Sequence, residues 1–318
     1  MASLREIKDH IASVRSTLKI TSAMKLVASA KLRKAQQAAE GIRPYTEALS
    51  EMLARVYPAA GAPDIPGDRV AIVAVASNSS LCGAFNINVI HKVQELIAEC
   101  RAAGAEVEVL SVGRKMAEAM RKAGYPSPAD YSDLVGHNSF EKSAAFAQGL
   151  IDAYNSGRYS SVLLVYNHFV NTASQKVQVE SYLPFGSSGE GITPDPVRGS
   201  AAHPSQPAGW APPSNSAEGG MPLGGNTLSG RREEDGDFIL EPGREEILRT
   251  LLPQVMRLRI HTVLLDSIAA EHAARTLAMQ TASDNAEDLL AELTLEYNKG
   301  RQQKITAEIL DLVGGAQQ

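Results

Sequence analysis

The segment SNSSLCGAFN (77–86) lies between a predicted strand and a predicted helix, where many nucleotide-binding loops occur. It contains neither the G-x-G-x-x-G fingerprint nor the glycines and lysine of a P-loop. The sequence therefore favours a turn here over a phosphate-binding loop.

Cys82 in this segment could act as a nucleophile if a base lay beside it, but the spacing supplies no such base. His91 and His168 are scattered, and no spacing in the sequence pairs either of them with a carboxylate as in a catalytic triad. The seven histidines and two cysteines also form no metal-ligand cluster. We expect a chain that is not itself an enzyme and that has no cofactor.

A third candidate is a basic stripe on a predicted helix, with no carboxylate between Asp9 and Glu40. Its basic residues are Arg15, Lys19, Lys25, Lys31, Arg33 and Lys34. The net charge of −5 and the absence of interleaved aromatic side chains argue against nucleic acid. The helix also lacks the Trp and Phe of a membrane-surface helix. An acidic protein partner and a solvated charged surface remain as the two interpretations.

The composition and the N-terminal segment indicate the cellular compartment of the chain. Two cysteines in 318 residues are too few for a disulfide framework, which indicates a reducing compartment. No apolar run approaches the about 20 residues that span a bilayer. The N-terminal stretch has no apolar signal core, and its early Glu6 and Asp9 argue against a transit peptide. We expect a soluble, cytoplasmic chain.

Two long helices must carry the outer parts of the chain. Apolar residues at intervals of three and four predict a helix from Ser3 to about Tyr57, roughly 80 Å long, which Pro44 could kink. A similar pattern predicts a helix of about 100 Å from Glu245 to Val313, with Pro253 and Gly300 as weak points. Helices of this length with near-heptad spacing are expected to pair as an antiparallel coiled coil.

Between them, residues 69–185 alternate between strand and helix patterns. The predicted strands are 70–77, 106–112, 161–169 and 176–183, and the predicted helices are 86–103, 114–122 and 140–155. This alternation predicts a small Rossmann-like α/β domain with a partly parallel sheet. The predicted fold class is thus a mixture of α+β and α/β, with two long terminal helices around a central domain.

The remaining segment, 186–237, is rich in Gly, Pro and Ser and is predicted to be disordered. FILEP (238–242) is predicted to resume a strand. The chain then divides into a first shaft helix (1–60), an α/β foot (69–185), the insert (186–237), and a return strand with the second shaft helix (238–318).

Several of these segments match a known family. ITSAMKLVASAKLRKAQ (20–36) resembles the N-terminal signature of gamma subunits of rotary F-type ATP synthases. Residues 271–316 resemble the longest signature of that family, and LCGAFN (81–86) and YNHFVN (166–171) resemble its middle domain. The resemblance covers nearly the whole chain except 186–237.

The resemblance implies the central rotor shaft of the motor, present once per complex. Its partners would be a hexamer of alpha and beta subunits, a small epsilon subunit and the membrane ring of c subunits, with no nucleic acid. ATP chemistry would reside in the beta subunits. Without a transit segment, the expected location is peripheral, on the cytoplasmic side of a bacterial plasma membrane.

Site residues follow by position in the family signatures. Met24 and Lys25 match the segment that faces acidic loops of beta, and Arg301, Gln302 and Thr306 match the polar cluster that meets the beta catch. Glu241 matches a c-ring contact through a short motif.

The sequence also departs from the family. Asn78-Ser79-Ser80 stands where family members have Asp-Arg-Gly, which puts any ionic contact there in doubt. The insert has no cysteine, so a dithiol switch of the kind found in some photosynthetic relatives is excluded. A steric brake or tether is one hypothesis for the insert, and a passive loop is the other. Two other classes stay open for the whole chain, namely a non-rotary coiled-coil scaffold and a nucleotide-binding α/β enzyme.

Overall fold

The computed structural model describes residues 3–56, 69–136, 139–185 and 243–315. Its elements, in chain order, are α1 (Leu4–Val56), β1 (Arg69–Val75), α2 (Phe85–Ala102), β2 (Glu106–Val112), α3 (Arg114–Lys122), α4 (Asp133–Gly136), α5 (Phe140–Asn155), β3 (Ser161–Phe169), β4 (Gln175–Leu183) and α6 (Arg244–Gly315). The predicted fold class is confirmed, and α4 is an addition that the sequence patterns did not indicate. The predicted strand FILEP and the insert lie outside the described residues.

Helices α1 and α6 are continuous over 53 and 72 residues, which corresponds to about 80 and 110 Å. A reciprocal cap starts α1, because Ser3 N–H donates to Glu6 Oε2 at 2.8 Å and Glu6 N–H donates to Ser3 Oγ at 3.3 Å. Pro44 and Pro253 lie inside the helices, and neither ends one.

The two helices run in opposite directions and pack against each other along an apolar seam. Near the start of α1, Ile7 and Val14 pack with Ala286 and Leu293. Near its end, Leu49 and Leu53 pack with Leu251, Val255 and Leu258. Alanines fill the middle of the seam, where Ala35 meets Ala269 and Ala273. The predicted antiparallel pair is confirmed, and the small residues in its middle let the helices approach closely.

The sheet has the strand order β2-β1-β3-β4. Strand β1 pairs in parallel with both β2 and β3, whereas β4 runs antiparallel to β3. Helices α2 and α3 cover one face through a cluster that includes Val89, Val93, Met116 and Met120. The other face packs against α5 and against α6, whose Met256, Ile260, Val263 and Leu264 enter the core of the domain.

Helix α6 therefore belongs to two cores at once. One side of its middle section packs on the sheet, and the other side packs on α1. From residue 255 to residue 276 it has no exposed side chain. Fourteen of these 22 residues are buried and the other eight are partly buried, unlike the single buried stripe of a helix at a protein surface.

Candidate functional site

The register of the shaft decides where the candidate residues lie. Thr21 Oγ1 and Ser283 Oγ meet at 2.8 Å across the seam. A Cβ built on Gly300 would lie 3.0 Å from Leu4 Cδ2, so Gly300 marks the level at which α1 begins. Residues 301–315 therefore continue as a single helix of about 22 Å beyond the first turn of α1. We call this segment the tip.

Met24 lies on the outer surface of α1 and is 36% exposed, while Lys25 beside it is half-buried. Ile20 and Val27, which are each 57% exposed, share the outer face of Met24 at helical spacing. An apolar stripe of this kind on a soluble helix indicates a surface that another protein covers. The basic residues here were predicted from the sequence, whereas the stripe was not, although its residues stand off the seam positions.

The tip carries the second candidate set. Arg301, Gln302 and Thr306 are all exposed, and Thr306 Oγ1 donates to the carbonyl oxygen of Gln302 at 2.9 Å. The same segment exposes three large apolar side chains, Ile305, Ile309 and Leu310, at 47%, 55% and 64%. The tip thus exposes apolar side chains that a helix would normally bury, which indicates that other protein chains surround it in a complex.

The structure does not bring the two sets together. Met24 and Lys25 lie near the level of the Thr21–Ser283 contact. Arg301 is 18 residues beyond Ser283 along α6, which corresponds to about 27 Å. They form two separate levels on one shaft. Glu241, the predicted c-ring contact, lies outside the described residues.

The loop 77–86 is held by the domain and by α6. Asn78 Nδ2 donates to the carbonyl oxygen of Ser132 at 2.8 Å, and Asn78 Oδ1 accepts from Arg114 N–H at 3.0 Å. Arg275 on α6 donates to Ser79 Oγ at 2.7 Å. At Asn78-Ser79-Ser80, where the departure from the family pattern put an ionic contact in doubt, Arg275 thus binds a neutral hydroxyl group.

That arginine is anchored on its own helix. Arg275 Nη1 lies 2.7 Å from Glu271 Oε1, and both side chains are nearly buried. It also lies 3.4 Å from His272 Nδ1. Burial, and then the charges of Arg275 and Lys31, lower the pKa of His272 to about 4. The imidazole is therefore neutral at pH 7 and can accept a hydrogen bond from the guanidinium.

Cys82 is buried against Ala270 and Ala274 of α6 together with Phe85. Burial raises the pKa of its thiol, which keeps it protonated at neutral pH. His168 is bonded elsewhere, since its Nδ1 lies 2.6 Å from Asp266 Oδ2. The arrangement gives Cys82 a packing role.

Helix α6 also covers the carboxyl end of β1, which is the edge where open α/β sheets commonly bind nucleotides. The loop that follows β1 contacts Ala270, Ala274 and Arg275. This packing disfavours the nucleotide-binding alternative on geometric grounds. In the part of the chain that the structure describes, no group of three His, Cys, Asp or Glu residues is placed to hold a metal ion. Over the same residues, no helix is both long and apolar enough to cross a membrane.

Comparison with known proteins agrees with this architecture. A family model described as ATP synthase matches residues 3–318. A protein of Phocaeicola vulgatus named ATP synthase gamma chain is 42% identical, with 99% of each chain covered. One of Bacteroides thetaiotaomicron with the same name is 40% identical, with both chains fully covered.

Two solved structures share the fold. A cryo-EM structure of the rotor of the Euglena gracilis mitochondrial ATP synthase matches with a TM-score of 0.57 and 18% identity, covering 95% of this chain and 98% of that one. A chain from the OSCP/F1/c-ring assembly of the same enzyme matches with a TM-score of 0.58 and 18% identity, covering 99% and 93%. With a family model over nearly its whole length and relatives of about 40% identity, the chain belongs to the ATP synthase gamma chain family.

Proposed function

We propose that the chain is the central rotor shaft of a rotary ATP synthase. In this role, ion-driven rotation of the c-ring turns the shaft, and the shaft's asymmetry takes the catalytic sites through different nucleotide affinities. The observation that carries the proposal is the tip, a helix whose polar and apolar faces are both exposed beyond the end of its partner. Such a segment fits inside a ring of other subunits.

The partners in this proposal are three alpha and three beta subunits, an epsilon subunit and a c-ring, with one copy of this chain per complex. The beta subunits supply catalysis. Met24 and Lys25 contact the acidic loops of beta near the level of the Thr21–Ser283 contact. Arg301, Gln302 and Thr306 contact the beta catch at the level of the tip. Glu241 contacts the c-ring. The complex holds the chain at the cytoplasmic side of a bacterial plasma membrane.

The free energies of charge movement across the membrane and of an ion pair bear on how the shaft transmits force. Each charge that crosses the membrane contributes about 2.3 kcal/mol per 100 mV. An exposed ion pair contributes only about 0–1 kcal/mol. A single contact of Lys25 with a carboxylate is too weak to carry this load. The exposed apolar stripe beside Met24 supports transmission by shape and by many shared contacts.

The test is reconstitution with alpha and beta subunits, followed by single-molecule observation of rotation. Cys82 is too buried to label, so the probe is attached through Ala102→Cys at the end of α2, with Cys100→Ser to prevent a second attachment. We expect stepwise ATP-driven rotation in thirds of a turn. Stable binding to the hexamer without rotation would instead support the coiled-coil scaffold. A truncated chain that ends at Gly300 tests the tip, whose removal should weaken binding to the hexamer.

A further inference from the structure

The α/β domain is bonded to the shaft through α6. The described residues of this helix that form hydrogen bonds or ion pairs with the domain include Met256, Arg257, Arg259, His261, Asp266 and Arg275. Helix α1 contributes apolar contact, as where Leu32 and Ala35 share a cluster with Phe169. Directional bonds resist sliding and twisting more than apolar contact does, so the bonds on α6 fix its position relative to the domain.

Two of these contacts involve a carboxylate and lie one heptad apart on α6. Arg259 makes a two-pronged contact with Glu180 of β4, with nitrogen–oxygen distances of 2.8 and 2.6 Å. Asp266 contacts the end of β3. The two residues are separated by about 10 Å along the helix axis. Two ties at different heights on the same helix face fix both its position and its rotation relative to the sheet.

The Asp266 contact includes a backbone group of the domain. Its Oδ1 accepts from the backbone N–H of Phe169 at 3.0 Å, and its Oδ2 lies 2.6 Å from His168 Nδ1. Both side chains of the Asp266–His168 pair are only about a fifth exposed, at 22% and 23%. The backbone donor is the last residue of β3, where the strand pairs with Gln175 of β4.

Building on the proposed rotary function, we propose that torque from the α/β domain enters the shaft through α6, and that Asp266 is the positioning residue that fixes the angle between sheet and shaft. In this arrangement α1 is a brace that follows α6 through the apolar seam. Loosening Asp266 leaves the shaft able to turn but makes its connection to the domain softer in torsion.

The experiment uses the reconstituted complex with the probe attached to the α/β domain through Ala102→Cys, and it compares the angular spread within each dwell. Asp266→Ala removes both bonds, and Asp266→Asn retains an oxygen that can accept from Phe169 N–H. His168→Ala removes only the side-chain partner. Asp133→Asn is the matched control, because Asp133 is 73% exposed and its ion pair with Lys142 stays within the domain.

We expect the angular spread to be largest for Asp266→Ala, intermediate for Asp266→Asn and His168→Ala, and unchanged for Asp133→Asn. The step of one third of a turn should be the same in all of them. Circular dichroism and binding to the hexamer establish that each variant is folded. Rotation of the parent protein with an equal spread in every folded variant would overturn the role of Asp266. Failure of the parent protein to rotate would instead overturn the proposed function.

Discussion

The hydroxyl groups of Thr21 and Ser283 lie 2.8 Å apart in the seam between the shaft helices, and both residues are buried. Thr21 Oγ1 also lies 3.0 Å from the carbonyl oxygen of Leu18. Any slip of one helix along the other would separate the two hydroxyls and place each against apolar side chains. A buried polar pair of this kind selects one register over its neighbours.

Thr21→Val tests this role, because valine keeps the shape of threonine without its hydroxyl. We expect the free energy of unfolding to fall by about 1–3 kcal/mol, since Ser283 loses its buried partner. The double variant with Ser283→Ala should recover part of that loss. Chemical denaturation of the four proteins in the cycle gives the coupling energy. Thr281→Val, at an exposed site on α6, is the control and should change stability by less than about 0.5 kcal/mol.

Asn78 needs an amide for its two bonds. In Asn78→Asp the oxygen can still accept from Arg114 N–H, but no donor faces the carbonyl of Ser132. We expect a loss of about 1–3 kcal/mol in unfolding free energy at pH 7. The loss should shrink as the pH approaches the ordinary pKa of an aspartate, about 4, because a protonated carboxyl can donate. An equal loss at pH 7 and pH 4 would contradict this account.

His272 should make stability depend on pH. Its pKa is about 4 in the folded chain, lowered first by burial, against about 6.5 when unfolded. The unfolded state therefore binds more protons between these values, and the stability that the neutral imidazole contributes is lost as the pH falls from about 6.5 to about 4. The whole effect amounts to about 1–3 kcal/mol after allowance for partial exposure.

The measurement for His272 is the unfolding free energy of the parent and of His272→Gln from pH 7 to pH 4. Glutamine keeps a polar side chain that does not titrate in this range. The parent curve should fall more steeply than the variant curve. Parallel curves would show that His272 does not set the slope.

Two helical glycines should respond differently to alanine. At Gly41 a new Cβ would meet nothing within 4 Å, so Gly41→Ala should stabilise the chain by about 0.5–1 kcal/mol through helix propensity. At Gly300 the same Cβ would lie 3.0 Å from Leu4 Cδ2, and the gain should be smaller or absent. Thermal unfolding of both variants measures the difference. In a Leu4→Ala background, Gly300→Ala should behave like Gly41→Ala, and a persistent difference would rule out Leu4 as its cause.

Lys25→Ala tests the proposed mode of torque transmission. Because an exposed ion pair contributes only about 0–1 kcal/mol, ATP-driven rotation should keep most of its torque. Met24→Asp should reduce torque more, because it puts a charge into the apolar stripe beside Ile20 and Val27. Rotation under increasing viscous load compares the two variants. Loss of torque in Lys25→Ala alone would favour a single ionic contact.

Local patterns were sufficient to predict every described element of this fold except the short helix α4. The apolar spacing from Leu4 to Leu18 predicted α1, and the valine-rich run 70–77 predicted the central strand β1. What α6 packs against could not be predicted in the same way. Met256, Ile260 and Val263 have the spacing of a coiled-coil stripe, and nothing in that spacing says that they face a sheet. That information depends on contacts between residues far apart in the chain.

The candidate site divides in the same manner. The family signatures indicated Met24, Lys25 and the polar residues of the tip as candidates, and the structure adds that they occupy two levels of the shaft. The Asp266 contact with His168 and Phe169 has no sequence signal, because an acidic residue inside a helical pattern is most often solvent-exposed. It becomes visible only when β3 is placed beside α6.

The absence of an exposed side chain between residues 255 and 276 has a genetic consequence. In most surface helices about half of the positions accept many substitutions, because one side meets only water. Here a helix of about six turns is enclosed by the sheet on one side and by α1 on the other. A library of single substitutions should therefore show a block of intolerant positions without the usual three-to-four-residue rhythm. Natural variants of the gene should likewise carry few amino-acid substitutions along it.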